Sequence, residues 1–442
     1  MVRENERRSA EAERRARRSR VLDAMRERSD GPAVALVQGA GKNDTSDRFR
    51  QSNDMHYLCA VETPHAYLVL DARDGRAHLF LPYQSEKHRA KEGPLLHAGD
   101  LDEAAYATGV DAAHPIDALA AHLERVQELF TPFRAGEGAV QSWDTLQRAA
   151  QEALSDPWDG RPDRHRWFLG RLRERLPGAR LRDLAPVLDD LRLVKSEREI
   201  AALRRSGALA ARGLVAALGV TRPGAYEYEL ETAVQAEFFR GGARVHAYRP
   251  IVAAGDNAWY AHYQANDQQI ADGDLVLLDA GPDLDHYASD VTRIWPANGR
   301  YDAVQRQLYG FMVAYHEALL RRLRPGVTAE AVQHDVAEEM LERVEATSWA
   351  KPIYEQAAVR ALSFPGHLSH PVGMAVHDVG DYSGTVLRPG VALAVDPQLF
   401  VPEERRYVRV EDTVVITDEG VENLTDGVPL GLDATEALVG VG

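Results

Sequence analysis

The sequence predicts an α/β protein built as two domains, and three observations carry that reading. The chain has 442 residues, 45% of them apolar, enough for two full cores at ordinary domain sizes. Short apolar strand-like runs are mixed with helix-like segments over residues 20–130. A second series of helices, strands, helices and strands then starts near residue 196 and runs to the C-terminus. The boundary falls near Leu184–Val194, which gives domains of 1–190 and 191–442.

Composition excludes several function classes. A net charge of −16 opposes nucleic acid or an anionic membrane as partner. The single cysteine, Cys59, rules out an intramolecular disulfide and a cysteine-based zinc site, and it fits a reducing, cytoplasmic setting. No apolar run approaches the roughly 20 residues that a membrane span needs. The Arg-rich N-terminus lacks the apolar core of a secretory signal, and Glu4, Glu6, Glu11 and Glu13 oppose a transit peptide. A charged, solvated helix is expected there.

In chain order, Ala33–Val37, Tyr67–Leu70 and Ala77–Leu81 read as strands and 115–130 as helix-like. The QGAGKND stretch at 38–44 lacks the full phosphate-loop pattern and reads as an ordinary loop. Residues 141–185 read as helix and loop. Ser196 and Glu199 form an S-x-x-E capping box. The helix they open carries Ile200, Leu203, Gly207, Ala210, Leu214 and Leu218 on one stripe and stops at Gly219 and Pro223. A second helix spans about 226–240, followed by strands at 248–254, 258–263 and a hairpin at 275–293. A helix pair at 301–345 and strand patterning from 367 complete the chain. Two similar αβ halves around one sheet fit this order.

The chemistry concentrates at strand ends. In DLVLLDAGPDLDHYASDVTR (274–293), an apolar strand delivers Asp279, and a second strand-like run carries Asp290. A turn centred on Leu284-Asp285 places the two acids opposite each other, with Cβ atoms roughly 4.5–5.5 Å apart, where like charges destabilise a sheet. Asp is also depleted in strands. A shared divalent cation gives this pair a reason; two unrelated acids at strand ends are the alternative. GHLSHPVGMAVHD (366–378) adds His367, His370 and His377, and VALAVDPQ repeats the acid-at-strand-end device with Asp396. YVRVEDTVVIT (407–417) alternates, so that Glu411 shares a face with Arg409 while Asp412 points away.

The order Asp279, Asp290, His370, Asp396, Glu411 resembles the five-ligand dinuclear metal site of the methionine aminopeptidase/prolidase/creatinase superfamily. LLDAG…YASDVTR is similar to that family's two-Asp segment, SHPVGMAVHD to its His segment and RVEDTVVIT to its final Glu segment. DRFRQSNDMHYLCAVETPHAYLVL (47–70) resembles the signature of the creatinase-type amino-terminal domain in its aminopeptidase P branch, and LRLVKSEREIAALRRSG (191–207) the first catalytic-domain helix. The resemblance implies a pita-bread fold of two pseudo-symmetric αβ halves behind that amino-terminal domain. It implies two divalent metal ions, usually Mn2+ with Zn2+ or Co2+ as alternatives, sharing a hydroxide whose pKa they lower. Asp279 then binds one metal, Asp290 and Glu411 bridge both, and His370 and Asp396 bind the other. His262 matches a histidine that contacts substrate, His377 one that stabilises the tetrahedral intermediate, and Arg409 one that orients carboxylates and water.

Four departures stand out, one of them the shortening of the family's R-G-[IV]-G-[IV]-R run to Glu404-Arg405-Arg406-Tyr407-Val408-Arg409. Asp396-Pro397-Gln398 replaces the family's E-P-G, whose Glu is also the general base or proton shuttle; Phe400 replaces a tyrosine; and His367 is displaced by one position. The expected reaction is hydrolysis between an N-terminal residue and a following proline, on short peptides, in a homodimer or homotetramer. An Xaa-Pro dipeptidase shares the ligand set. A metal-free creatinase-like hydrolase or a binding module on the same fold are further alternatives.

Overall fold

The computed structural model describes residues 2–42 and 48–440. It forms two compact units, residues 1–191 and 192–442. Asn43 and Asp44 of the QGAGKND stretch lie outside the described residues; Gly39–Lys42 carry no regular structure.

In the first unit, six strands form one sheet: β1 (Ala33–Gln38), β2 (Tyr67–Asp71), β3 (Arg76–Leu81), β4 (Ala112–Pro115), β5 (Glu128–Thr131) and β6 (Arg180–Asp183). Their spatial order is β4-β3-β2-β1-β5-β6, with β1–β2 and β2–β3 antiparallel and the other pairs parallel. β1 is apolar without alternation because it is buried almost throughout. The helix-like reading of 115–130 is corrected: a 3-10 turn at Ile116–Ala118 and one helical turn at Leu119–His122 give way to β5. Arg125 at φ 62° interrupts the helix, and buried Leu129 and Phe130 are spent in the sheet. β6 is a strand inside a segment expected to be helix and loop.

The N-terminal helix, Val2–Arg28, is less solvated than its charge suggests. Val21, Leu22 and Met25 are buried, as are Arg17 and Arg18. These two arginines donate to the carbonyls of Tyr57 and Leu58 at 3.1 and 2.8 Å, at the C-terminal end of helix Asn53–Cys59. A helix leaves its last carbonyls without intrahelical donors, and cations there satisfy both the hydrogen bonds and the dipole.

The second unit opens on helix Glu197–Val220, with the Ser196/Glu199 capping box in place. Helix Glu227–Arg240 packs on it. Strands β7 (Val245–His246), β8 (Ile251–Ala254), β9 (Leu275–Asp279), β10 (Pro282–Asp283) and β11 (Val291–Pro296) follow. Helices Ala303–Arg322, Ala329–Ala346 and Pro352–Leu362 begin the second half. It ends in β12 (Leu368–Pro371), β13 (Ala392–Val395), β14 (Gln398–Val401), β15 (Arg406–Arg409), β16 (Glu411–Ile416) and β17 (Val421–Asn423). The main sheet runs β12-β13-β16-β11-β9-β8 with β17 on β16, while β7–β10 and β14–β15 form two-stranded ribbons. The halves meet where β11 pairs antiparallel with β16. No helix among the described residues is long and apolar enough to cross a membrane.

Three expectations in this unit are corrected. Asp279 lies opposite Thr292, not Asp290. The turn centres on Asp285-His286, both at positive φ (55° and 69°), between bridged Leu284 and Tyr287; this is the twist a two-residue hairpin turn needs. Residues 258–263 are not a strand: a 3-10 turn covers Gly255–Trp259, because the buried Glu227 carboxylate accepts from the Ala254 and Gln268 amides. The run 407–417 is not one strand but two, broken at Val410, whose amide donates to Pro397 O at 3.2 Å.

Candidate metal centre

The four acids and one imidazole read from the sequence converge at the join of the two halves. Asp279 ends β9, Asp290 precedes β11, His370 sits in β12, Asp396 follows β13 and Glu411 opens β16. Asp279, Asp290 and Asp396 are each 3% exposed and Glu411 0%. One ligand atom each from Asp290, His370 and Glu411 lies within 4.8 Å of the other two. His370 Nε2 is 3.5 Å from Asp290 Oδ2 and 3.8 Å from Glu411 Oε1. Asp279 and Asp396 are tied in by Arg409, whose Nη1 donates to Asp279 Oδ2 at 3.0 Å and Nε to Asp396 Oδ1 at 2.7 Å, while Nη2 reaches Glu411.

The supporting shell comes from the same strands. Thr292 Oγ1 donates to Glu411 Oε2 at 2.8 Å, and Thr413 exchanges hydrogen bonds with the Asp290 backbone. Beneath Glu411, Asp412 accepts from Arg293 at 2.8 Å and lies 3.1 Å from His316. Those groups and a hydroxyl from Thr425 hold its carboxyl far below the usual range despite burial. Of the other residues singled out, His377 is half-buried with its ring centroid 4.2 Å from that of His370. His262 is exposed on the turn after Gly255–Trp259. His367 is fully buried, held by the Ala361 carbonyl at 2.6 Å, and burial takes its pKa down to about 4. Phe400 stacks on Tyr407 with centroids 4.5 Å apart.

Sequence reasoning missed Tyr248. Its hydroxyl contacts both Asp279 Oδ1 and Asp290 Oδ1, and burial followed by those carboxylates pushes its pKa far up. The residue lies in irregular backbone at 247–250, between β7 and β8; the strand expected over 248–254 begins only at Ile251, so strand periodicity could not mark it. A phenol has one proton and can donate to only one of the two acids. The excess of charge is general: four buried carboxylates face one guanidinium and one half-exposed imidazole. Burial, then Glu411 and Asp279, push Asp290 well above the carboxylate range. Asp396 and Glu411 are raised too, burial outweighing the pull of Arg409. Glu411 Oε1 is buried without a donor. Buried carboxylates need pairing charge, and an oxygen-rich set with one imidazole is the donor chemistry of divalent metal ions. The residues fit such ions.

Fold and donor set together define a divalent-metal enzyme. Comparison with known proteins places it: the model of metallopeptidase family M24 matches residues 201–418, and that of the aminopeptidase P N-terminal domain matches residues 14–129. Xaa-Pro aminopeptidase of Escherichia coli (strain K12) is 32% identical over 438 residues, 96% of each chain. The solved structure of proline aminopeptidase P II from Yersinia pestis superposes with a TM-score of 0.78 at 32% identity, covering 98% of this chain and 100% of that one. Zn-substituted E. coli aminopeptidase P in complex with product superposes with a TM-score of 0.76 at 30% identity, covering 97% and 98%. The chain belongs to metallopeptidase family M24 and has its pita-bread fold, preceded by an aminopeptidase P-type N-terminal domain.

Proposed function

We propose that this protein is an Xaa-Pro aminopeptidase, a metal-dependent hydrolase that removes an N-terminal residue preceding proline. The observation that carries the reading is the cluster of four buried carboxylates and His370 around one guanidinium, in a chain that matches Xaa-Pro aminopeptidases almost end to end.

The ligand set is proposed as Asp279, Asp290, His370, Asp396 and Glu411, holding two ions that are Mn2+ in the native enzyme. Bound metal polarises a water and the scissile carbonyl. The chain's own residues do the rest. Arg409 spans Asp279, Asp396 and Glu411 and fixes the separation of ligands from both halves. Tyr248 locks Asp279 to Asp290. His377, beside His370, is placed to donate to a developing oxyanion, and exposed His262 to meet the peptide as it enters. Asp396 takes the proton-shuttle role.

An Xaa-Pro bond is a tertiary amide without N–H and with a fixed ring, so ordinary peptidase subsites that bind an amide proton fail on it. A cytoplasmic setting and a homodimer or homotetramer complete the reading; the acidic, one-cysteine composition supports the first, and the resemblance supports the second. The test is a peptide panel with Mn2+ present. Xaa-Pro-Xaa should yield the free first residue, and a chelator should stop it. Equal kcat/KM on Xaa-Ala-Xaa would refute proline selection, and cleavage of Xaa-Pro alone would make the enzyme a dipeptidase.

A further inference from the structure

A second group of metal-ligating side chains lies in the first unit, on one face of its sheet. Because side chains alternate along strands, Asp71 at the end of β2, His78 and Phe80 on β3 and His114 on β4 share that face through the pairings Asp71↔Arg76, His78↔Ala112 and Phe80↔His114. The short helix Leu119–His122 lays His122 over it. His78 rings stand 4.7 Å from His122 and 5.3 Å from His114, centroid to centroid. One ligand atom each from Asp71, His78 and His122 lies within 4.8 Å of the other two.

We propose that Asp71, His78 and His122 form a binding site for a borderline divalent cation of the Zn2+ class. His122 Nε2 and Asp71 Oδ2 are 3.2 Å apart, close to the roughly 3.3 Å edge of a tetrahedron drawn at Zn–N and Zn–O bond lengths. Three protein ligands from imidazole and carboxylate leave a fourth position open, a familiar zinc arrangement. The second nitrogen of each imidazole usually needs a partner to orient it, and His78 has one whichever nitrogen it uses. Its Nδ1 faces His114 Nε2 at 3.1 Å, and its Nε2 faces Asp74 Oδ2 at 3.2 Å.

Burial, then the neighbouring rings, lowers the pKa of both His114 and His122. Burial raises Asp71, but hydrogen bonds from Arg73 outweigh it and keep the carboxylate ionised. Arg73 grips both oxygens with its side chain, at 2.8, 3.0 and 2.6 Å, and its amide donates to Oδ1 at 2.9 Å; a carboxylate has about four lone-pair sites, so a cation on Oδ2 takes the place of the longer Nε contact there. His78 is 6% exposed, whereas the His122 side chain is 19% exposed, so an ion can enter from that side. An ion there clips the β2–β3 hairpin to the helix beyond β4.

Zn2+ itself is the probe. Full-length protein saturated with Zn2+ and stripped of loosely held ion by gel filtration should carry about one ion per chain more than His122→Gln or His78→Gln by elemental analysis. His122→Gln should keep its Mn2+-dependent peptidase activity. Because His78 is buried, the wild type supplies a check that needs no variant. Crystals soaked in zinc chloride should show an anomalous peak bonded to both His122 Nε2 and Asp71 Oδ2. Equal zinc counts in wild type and His122→Gln, or no peak at that position, would overturn the proposal.

Discussion

Asp396 shows how a one-methylene change is absorbed. Where the family pattern has Glu followed two residues later by Gly, this chain has Asp396 and Gln398. The Gln398 amide donates to Asp396 Oδ2 at 2.5 Å, its carbonyl accepts from Tyr407 at 2.9 Å, and Arg409 holds Oδ1. The shorter arm and the longer neighbour fill one space between them. Asp396→Glu should therefore press into Gln398 and lower kcat/KM, although it restores the family residue. Adding Gln398→Gly should recover activity, a coupling of at least about 1 kcal/mol in a double-mutant cycle. Independent effects of the two substitutions would show that Gln398 does not shape the ligand. Arg409 was legible as a partner of Glu411 because alternation put them on one face, even though a strand break separates them. Tyr248 was not legible, since its role depends on an irregular segment folding over strands that follow it in sequence.

Among elements, the β9–β11 hairpin controls the site. A Cβ added at Gly281 would sit 1.7 Å from the Ser289 carbonyl oxygen, so the backbone there closes on itself between Asp279 and Asp290. Gly281→Ala should cost about 3 kcal/mol or more and weaken Mn2+ binding together with stability, measured by denaturant melts with and without metal. A stability loss with unchanged metal affinity would detach the hairpin from the site. The long helix at 197–220 was legible because a capping box is a local signal. The hairpin register was not. Leu284-Asp285 and Asp285-His286 are both plausible turn centres on composition, and the choice is made by which pair adopts positive φ. A second element is pinned by a buried charge cluster: Asp378 lies 2.5 Å from Arg192 and 3.5 Å from Lys195. Burial works against the carboxylate, but Arg192 and then Lys195 outweigh it, and its pKa is lowered below 3.8. A lowered carboxyl pKa stabilises the fold above the unfolded value and loses that contribution as pH falls through the folded one. Asp378→Asn should therefore cost about 3–5 kcal/mol at neutral pH. The gap to wild type should close as pH drops below 3.8. A pH-independent gap would mean that packing, not charge, is lost.

Across the whole chain, the two units have different reasons to respond to metal. In residues 192–442 the proposed ligands come from both halves of one sheet. An ion there binds only the folded arrangement and stabilises it by mass action: at one hundred times Kd the gain is about 2.7 kcal/mol, or roughly a hundredfold in any exchange that needs the site to open. Reloading chelated protein with Mn2+ should thus slow amide exchange in 275–296, 366–378 and 391–416, the segments that carry the proposed ligands. Strands β1 and β5 have no residue in that site and should exchange at an unchanged rate. Zn2+ should add protection at 71–81 and 112–122, where Asp71, His78 and His122 lie, and His122→Gln should remove that second response only. The pattern, not the size, is decisive. Protection spread evenly over both units on adding Mn2+ would mean that metal acts through global stability. No change at 275–296 would remove Asp279 and Asp290 from the ligand set.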